Sequence, residues 1–389
     1  MASVKTSILV CGKFHYHNFA EFVARAGCLR QFIYSHKLST RFEVGPEAQA
    51  INLFGKEYLY QAHYRLLGEW GLKAGSHLYH GVLWDRLAAA VIKPADVLHF
   101  LMHGNSARAV RRAKAQGAKL LAEAVNGFPE DYAQTINEEY DRLGLRQRRQ
   151  KVNFDIWAEE RELSDFLLVP SRFVQRSYEA HGWPAERIFK LPYGANLADF
   201  QPNPALRGKF KAVCMAQVTP RKGHVYLLEA WKKLALPDAE LHCYGYYDRE
   251  VLQALQSMNV PNVFFHGSVP KVQVIRALQE ANVFVLPTID DGFGVVILEA
   301  MAAGLPVITT EHSGGVEIID EGMNGYVLPV RRSDLLAEKL LELYRDPEKA
   351  AGMGQAARQK VEKGQSWQDY AAGIMEIYRK CAADDPAKI

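Results

Sequence analysis

The stretch Pro287–Val307, PTIDDGFGVVILEAMAAGLPV, decides the reading of this chain. It follows a short apolar run, Val283–Leu286, suited to a strand buried on both faces. Asp290, Asp291, Gly292 and Gly294 then form a loop whose glycines permit unusual backbone angles and close approach of a ligand. The pattern predicts a helix over Val295–Ala303, ended by Gly304 in a left-handed cap, with a second strand from Leu305 to Thr309. Free amides at a helix start on the carboxyl edge of a parallel sheet make an anion site. Asp291 and Glu299 place carboxylates on either flank of the same helix. Amides for phosphate and acids for hydroxyls suit a nucleotide-sugar.

Outward from this stretch, strands and helices alternate in two series. The first runs through Ser7–Cys11, Phe19–Ala26, Val97–Leu101, Ser106–Gln116, Lys119–Ala124, Phe166–Val169 and Ile188–Leu191. The second runs through Ala212–Ala216, Val225–Lys233, Glu240–Tyr244, Val263–Phe265, Val272–Glu280, Val283–Leu286, Val295–Ala303, Val307–Thr309 and Gly325–Leu328. Such alternation implies parallel sheets in doubly wound α/β domains. The proline-rich, polar segment Asn196–Lys209 reads as a hinge between them. The expected architecture is two Rossmann-like domains facing a cleft: residues 1–198, residues 205–365, and a terminal helical segment, 366–389.

Composition narrows the class. At 389 residues the chain is long for one core. Its 48% hydrophobic and 23% charged content is that of a globular enzyme. A net charge of +3 gives no case for nucleic acid. No apolar run is long enough to span a bilayer, and the N-terminal segment lacks a signal-peptide pattern. Five widely spaced cysteines, an odd number, suit a reducing cytoplasm and match no disulfide or zinc framework.

The run DGFGVVILEAMAAGLPVI followed by SGGVEIIDEGMNGYVLP resembles the donor-site signature of the family-four retaining glycosyltransferases, which have the GT-B fold. The resemblance extends through VTPRKGHVYLLEAW (Val218–Trp231), HGSVP (His266–Pro270), Val169–Pro202 and the N-terminal ILVCGKFHYHNF. It is strong from about Asp165 onward and weak from Gly45 to Ala90. The family carries glutamate at both ends of its acidic motif; here the first is Asp291, one methylene shorter, and the second is Glu299.

The resemblance implies a set of site residues. Asp291 and the amides of Gly292, Phe293, Gly294 and Val295 would hold the donor sugar and β-phosphate, and Glu299 the ribose hydroxyls. Lys222, beside Arg221, would neutralise the diphosphate. Gln217 stands where the family often has an arginine, which leaves Arg221 to replace that cation. Val269 lies in the loop that reads the nucleobase. In the first domain, Gly12 and Lys13 follow the first strand, and His103 is presented to the reacting sugar. His99 reads as packed within its strand, while His15 and His17 cannot be ranked from spacing.

Other features have plainer readings. The basic run Arg142, Arg146, Arg148, Arg149 and Lys151 could touch an anionic membrane, but it also suits a solvated helix face. Trp367, Tyr370, Ile374 and Tyr378 form an amphipathic stripe, which in the family packs a terminal helix back onto the first domain.

The reaction so implied is transfer of a hexosyl group from a nucleotide diphosphate sugar, UDP- or GDP-linked, to a hydroxyl of a glycan or lipid-linked acceptor. The anomeric configuration is retained, and the setting is surface polysaccharide biosynthesis. Neither metal nor cofactor is called for, because Lys222 and helix amides supply the positive charge. The expected location is the cytoplasm, with peripheral contact on the inner face of the membrane left open. A catalytically weak nucleotide-sugar-binding protein and a sugar-nucleotide epimerase are the alternatives.

Overall fold

The computed structural model describes residues 4–12, 14–37, 42, 44–45, 47–73, 76–147 and 153–384. Lys13, Arg148, Arg149 and Lys151 lie outside them. Seven strands form the first sheet: β1 (Thr6–Val10), β2 (Leu29–Tyr34), β3 (Gln49–Asn52), β4 (Val97–Leu101), β5 (Lys119–Glu123), β6 (Phe166–Val169) and β7 (Ile188–Lys190). Six form the second: β8 (Phe210–Met215), β9 (Ala239–Tyr244), β10 (Val263–Gly267), β11 (Val283–Leu286), β12 (Val307–Thr310) and β13 (Gly325–Leu328). Strand orders are β3-β2-β1-β4-β5-β6-β7 and β10-β9-β8-β11-β12-β13. Every pairing within both sheets is parallel.

The central strands are apolar because helices cover both faces: TSILV of β1 and VFVL of β11 are buried throughout. Strand order reverses between β1 and β4 in the first sheet and between β8 and β11 in the second. The crevice beyond such a reversal is where open parallel sheets take ligands. The loops there are Gly12 and His103 in the first lobe, and Gln217–Lys222 and Asp290–Gly294 in the second.

The terminal helix Trp367–Ala383 packs on the helix Tyr16–Arg25 and reaches β4 and β5 of the first sheet. Its stripe Trp367, Tyr370, Ile374 and Tyr378 is buried. Asp369 and Ser366 close a reciprocal cap at its start. The chain crosses between lobes twice, side by side: Ala195 donates to the Gln365 carbonyl at 2.9 Å. A Cβ on Gly194 would sit 2.5 Å from the Ser366 backbone, so only glycine allows this approach. The segment read as a hinge is mostly fastened to the second lobe. Arg358 donates to the Phe200 carbonyl at 2.8 Å, and Arg207 to the Gly304 carbonyl at 2.8 Å. The narrow place is therefore Gly194–Asn196 with Gln365–Ser366, because contacts of the half-buried Arg207 and Arg358 tie the remainder down.

Candidate functional site

Lys222 ends a short 3-10 turn, Pro220–Lys222, after β8. Gly223 follows with φ +68°, and a Cβ there would lie 1.9 Å from the Pro287 carbonyl oxygen. The turn is thus pressed against the end of β11, and Ile289 donates to the Arg221 carbonyl at 2.8 Å. That contact sets the Arg221-Lys222 pair beside the acidic loop. Lys222 is buried, and its Nζ pairs directly with the Asp291 carboxylate. Arg221 Nη1 donates to the Asp290 carbonyl at 2.7 Å and lies 3.7 Å from Asp291 Oδ1. Burial opposes ionisation of Asp291, yet Lys222 and Arg221 hold its carboxyl below the usual range.

The loop differs in detail from the expectation. The Phe293 ring is buried against Tyr193, 5.2 Å between centroids. The Phe293 side chain is therefore an anchor of the loop. The helix spans Val296–Ala302, so Val295 is its N-cap and not its first helical residue. Gly294 takes φ +76°, as its position requires. Gly292 meets the other lobe: a Cβ there would lie 1.8 Å from the Val125 carbonyl oxygen. The start of this helix accordingly faces the gap between lobes.

The other second-lobe residues lie around this pair. Glu299 is half-buried on the same helix, its carboxyl raised by burial against the pull of Lys271. Gln217 is exposed beyond β8. Val269 is half-buried after β10, where Gly267, at φ +70°, packs under the Tyr247 ring.

In the first lobe, Gly12 ends β1 with φ +115°. His103 follows β4, and burial lowers its pKa, which favours the neutral imidazole. Its loop is held from below: Glu160 accepts from the amides of Gly104, Asn105 and Ser106 at 2.8, 2.8 and 2.6 Å. His103 lines a cavity of about 290 Å³ with Asn126, Gly127, Tyr132, Trp157 and Tyr178. His17 is packed edge-on to Phe32 and Tyr34.

A second cluster is centred on Glu123, at the end of β5 and fully buried. Tyr193 donates to it at 2.7 Å, and His99 Nε2 lies 3.1 Å away. His15 Nε2 is within ion-pair distance, 2.9 Å, though off the line of a hydrogen bond. His99 Nδ1 lies 2.9 Å from the Tyr378 hydroxyl on the terminal helix. Against the effect of burial, His15 and His99 hold the Glu123 carboxyl well below the usual range. His99 is thus packed in its strand, as read, but as part of a polar network joining three segments. Glu123, Tyr193 and Glu160 carry no local signal of these roles, since their partners are distant in sequence.

Contacts across the gap complete the setting. The Tyr226 hydroxyl donates to Glu139 at 2.8 Å, and Arg331 Nε donates to the same carboxylate at 2.8 Å. Lys190 pairs with Glu317 at 2.6 Å, and Phe173 stacks on His312. Arg142 of the basic run pairs with Glu229 and lies over the Tyr226 ring, so it serves the lobe interface.

Residues 197–360 match the model of the glycosyl transferases group 1 family. The second lobe of this chain is thus similar to that family. The chain is 27% identical over 238 residues to a GDP-mannose-dependent alpha-(1-6)-phosphatidylinositol monomannoside mannosyltransferase of Mycolicibacterium smegmatis, covering 55% of this chain and 62% of that protein. It is 32% identical over 212 residues to the amylovoran biosynthesis glycosyltransferase AmsK of Erwinia amylovora, covering 51% and 52%. The chain thus spans between half and two thirds of the length of these relatives.

Solved structures share the whole fold. A sucrose-phosphate synthase from Thermosynechococcus elongatus superimposes with a TM-score of 0.68 at 18% identity, covering 98% of this chain and all of that one. Anabaena HepE, solved in complex with UDP, gives 0.65 at 14% identity, covering 96% and 100%. The fold of this protein is GT-B, with two parallel α/β lobes. Among the described residues, no helix is long and apolar enough to cross a membrane, and no metal-binding cluster occurs.

Proposed function

We propose that this protein is a retaining glycosyltransferase that moves a hexosyl group from a nucleotide diphosphate sugar to a hydroxyl of a glycan or glycolipid acceptor. The observation that carries the reading is the buried Lys222–Asp291 pair, with Arg221 behind it, at the gap between the two sheet reversals. The similar phosphatidylinositol monomannoside mannosyltransferase and amylovoran biosynthesis glycosyltransferase support the acceptor class, and the GDP-mannose dependence of the first and the UDP bound to Anabaena HepE support the donor class.

Cleavage of the donor breaks the bond from the anomeric carbon to the β-phosphate oxygen, and the electron pair leaves with the diphosphate. Lys222 and Arg221 face that developing charge in a water-poor site, where fixed cations count most. Diphosphate competes with Asp291 for Lys222, which frees the Asp291 carboxylate for the donor sugar's hydroxyls. Glu299 takes the ribose hydroxyls, and Val269 and its neighbours border the base. The acceptor oxygen bonds to the anomeric carbon on the face the phosphate leaves, and its proton passes to the departing phosphate oxygen. Neutral His103 hydrogen-bonds the reacting sugar from the first lobe. The twin crossings at Ala195 and Gln365 are the place about which the lobes close and exclude water.

Calorimetry with UDP and GDP, followed by transfer assays with the matching donor sugars and a lipid or glycan acceptor panel, tests this. Tight nucleotide binding and a product of retained configuration are expected. Nucleotide binding with neither transfer nor donor hydrolysis would make the chain a binding protein.

A further inference from the structure

Asp290 directly precedes the acidic motif, and the reaction above does not use it. It is buried at 3% exposure, and its Oδ1 has no hydrogen-bond partner in the structure. Its backbone carbonyl serves Arg221, but its side chain turns toward the first lobe. A Cβ on Gly127 would stand 3.2 Å from Asp290 Oδ2, so the carboxyl uses the space that this glycine leaves open. Gly127 lines the cavity of about 290 Å³ that also holds His103, Asn126, Tyr132, Trp157 and Tyr178.

We infer that this cavity seats one sugar ring of the acceptor, with the Asp290 carboxylate accepting a hydrogen bond from its hydroxyl. The inference rests on the transferase reading. A buried oxygen with no partner costs stability unless a ligand supplies a donor. The cavity's size is at the lower end for ligand sites, matching a single ring and not an extended chain. Its aromatic walls, Tyr132, Trp157 and Tyr178, offer flat apolar faces for ring C–H groups, while Asn126 and His103 offer polar partners. Asp290 abuts the cavity behind Gly127, and its carboxylate, with Asp291 and Asp131 in electrostatic range, disfavours a phosphate at this end. Arg221 and Lys222 lie on the donor side and favour the ionised form of Asp290. Burial, with Asp291 nearby, opposes them and pushes its carboxyl up to about 7. A neutral, hydroxyl-bearing ligand fits this balance.

The test uses the full chain and its Asp290→Asn variant. Binding of methyl α-D-mannopyranoside, methyl β-D-glucopyranoside and methyl β-D-galactopyranoside is measured by saturation-transfer NMR, with and without nucleotide. UDP and GDP binding is measured by calorimetry, and folding by thermal melting. At least one glycoside should bind the parent protein, and Asp290→Asn should weaken it about tenfold or more, the scale of a lost hydrogen bond to a charged group. Nucleotide affinity should stay within about twofold, because the proposed contact makes no use of the nucleotide. Absence of glycoside binding, equal binding by the variant, or loss of nucleotide binding in the variant would each overturn the inference. Glycoside binding that depends on Asp290 without any nucleotide binding would instead refute the transferase reading and keep the sugar site.

Discussion

The two lobes present their strand ends to the same gap but build them differently. In the second, the charged groups sit in two short, contiguous loops: Arg221-Lys222 after β8 and Asp290–Gly294 after β11. Adjacent parallel strands bring those loops together, so that Lys222 and Asp291 pair although 69 residues separate them. In the first lobe, the cavity draws on the ends of β4 and β5 and on three helices, and the Glu123 cluster adds the terminal helix. One lobe thus carries its chemistry as a motif, and the other assembles it from scattered side chains. Charge stabilisation needs a few fixed groups at one point, whereas a walled cavity needs surfaces from several directions.

Perturbing the charged pair should have the largest effect. Lys222→Ala is expected to lower kcat/KM about a thousandfold, the scale for losing a preorganised charge-stabilising group. Turnover within tenfold of the parent in a steady-state assay would remove Lys222 from the reaction. Closure between lobes should come next. Gly292→Ala places a methyl against the Val125 carbonyl and holds the lobes apart, with an expected loss of about a hundredfold in kcat. Small-angle scattering should then show a more open molecule; an unchanged profile and rate would mean that the loop yields locally.

Two buried carboxylates, one from each lobe, should respond to pH with opposite sign. Glu123 has a depressed folded pKa, so its stabilisation is present above its ordinary value of 4.5 and is lost as pH falls below it. Asp290 has a folded pKa raised from 3.8 to about 7, so its protonated form favours the folded state at low pH, and that contribution is lost as pH rises through about 7. Glu123→Gln should therefore destabilise the protein at neutral pH by about 3 kcal/mol, as breaking a buried charged network does, and less in acid. Asp290→Asn should stabilise at neutral pH and change little near pH 4. Thermal melts from pH 4 to 8 check both, and parallel curves for parent and variants would contradict the assignment.

The smallest effect is expected at the motif's departure from the family pattern. Asp291→Glu should change kcat/KM by less than about tenfold, since the charge stays and only the reach grows by one methylene. Kinetics with two donor sugars would show any change of preference; complete inactivity would mean that Lys222 accepts only the shorter acid.

Much of the second lobe was legible before its structure. Its central strand β11, VFVL, is an unbroken apolar run, and Gly292, Gly294 and Gly304 punctuate the stretch after it where the backbone must turn. The first lobe was legible at β1, β4 and β6 for the same reason. It was obscure at β2, LRQFIY, where Arg30 and Gln31 interrupt the run, and at β3, QAIN, which has no apolar face. The helix Pro129–Arg142, which carries Tyr132 to the cavity and Glu139 to the interface, has a clear start signal in proline followed by Glu130 and Asp131. What that helix faces has no local trace.

From residues alone one could determine two parallel α/β lobes, a glycine-punctuated acidic loop leaving a buried strand, and a basic pair in the same half. These follow from burial periodicity and backbone freedom, which act over a few residues. Only the tertiary structure decided that Lys222 neutralises Asp291, that the Phe293 ring packs against Tyr193, and that Asp290 turns toward Gly127. It also decided that Glu123 gathers His15, His99 and Tyr193. Those pairings depend on which strand ends lie side by side and how the lobes meet, and desolvation then selects the partner each buried charge must have.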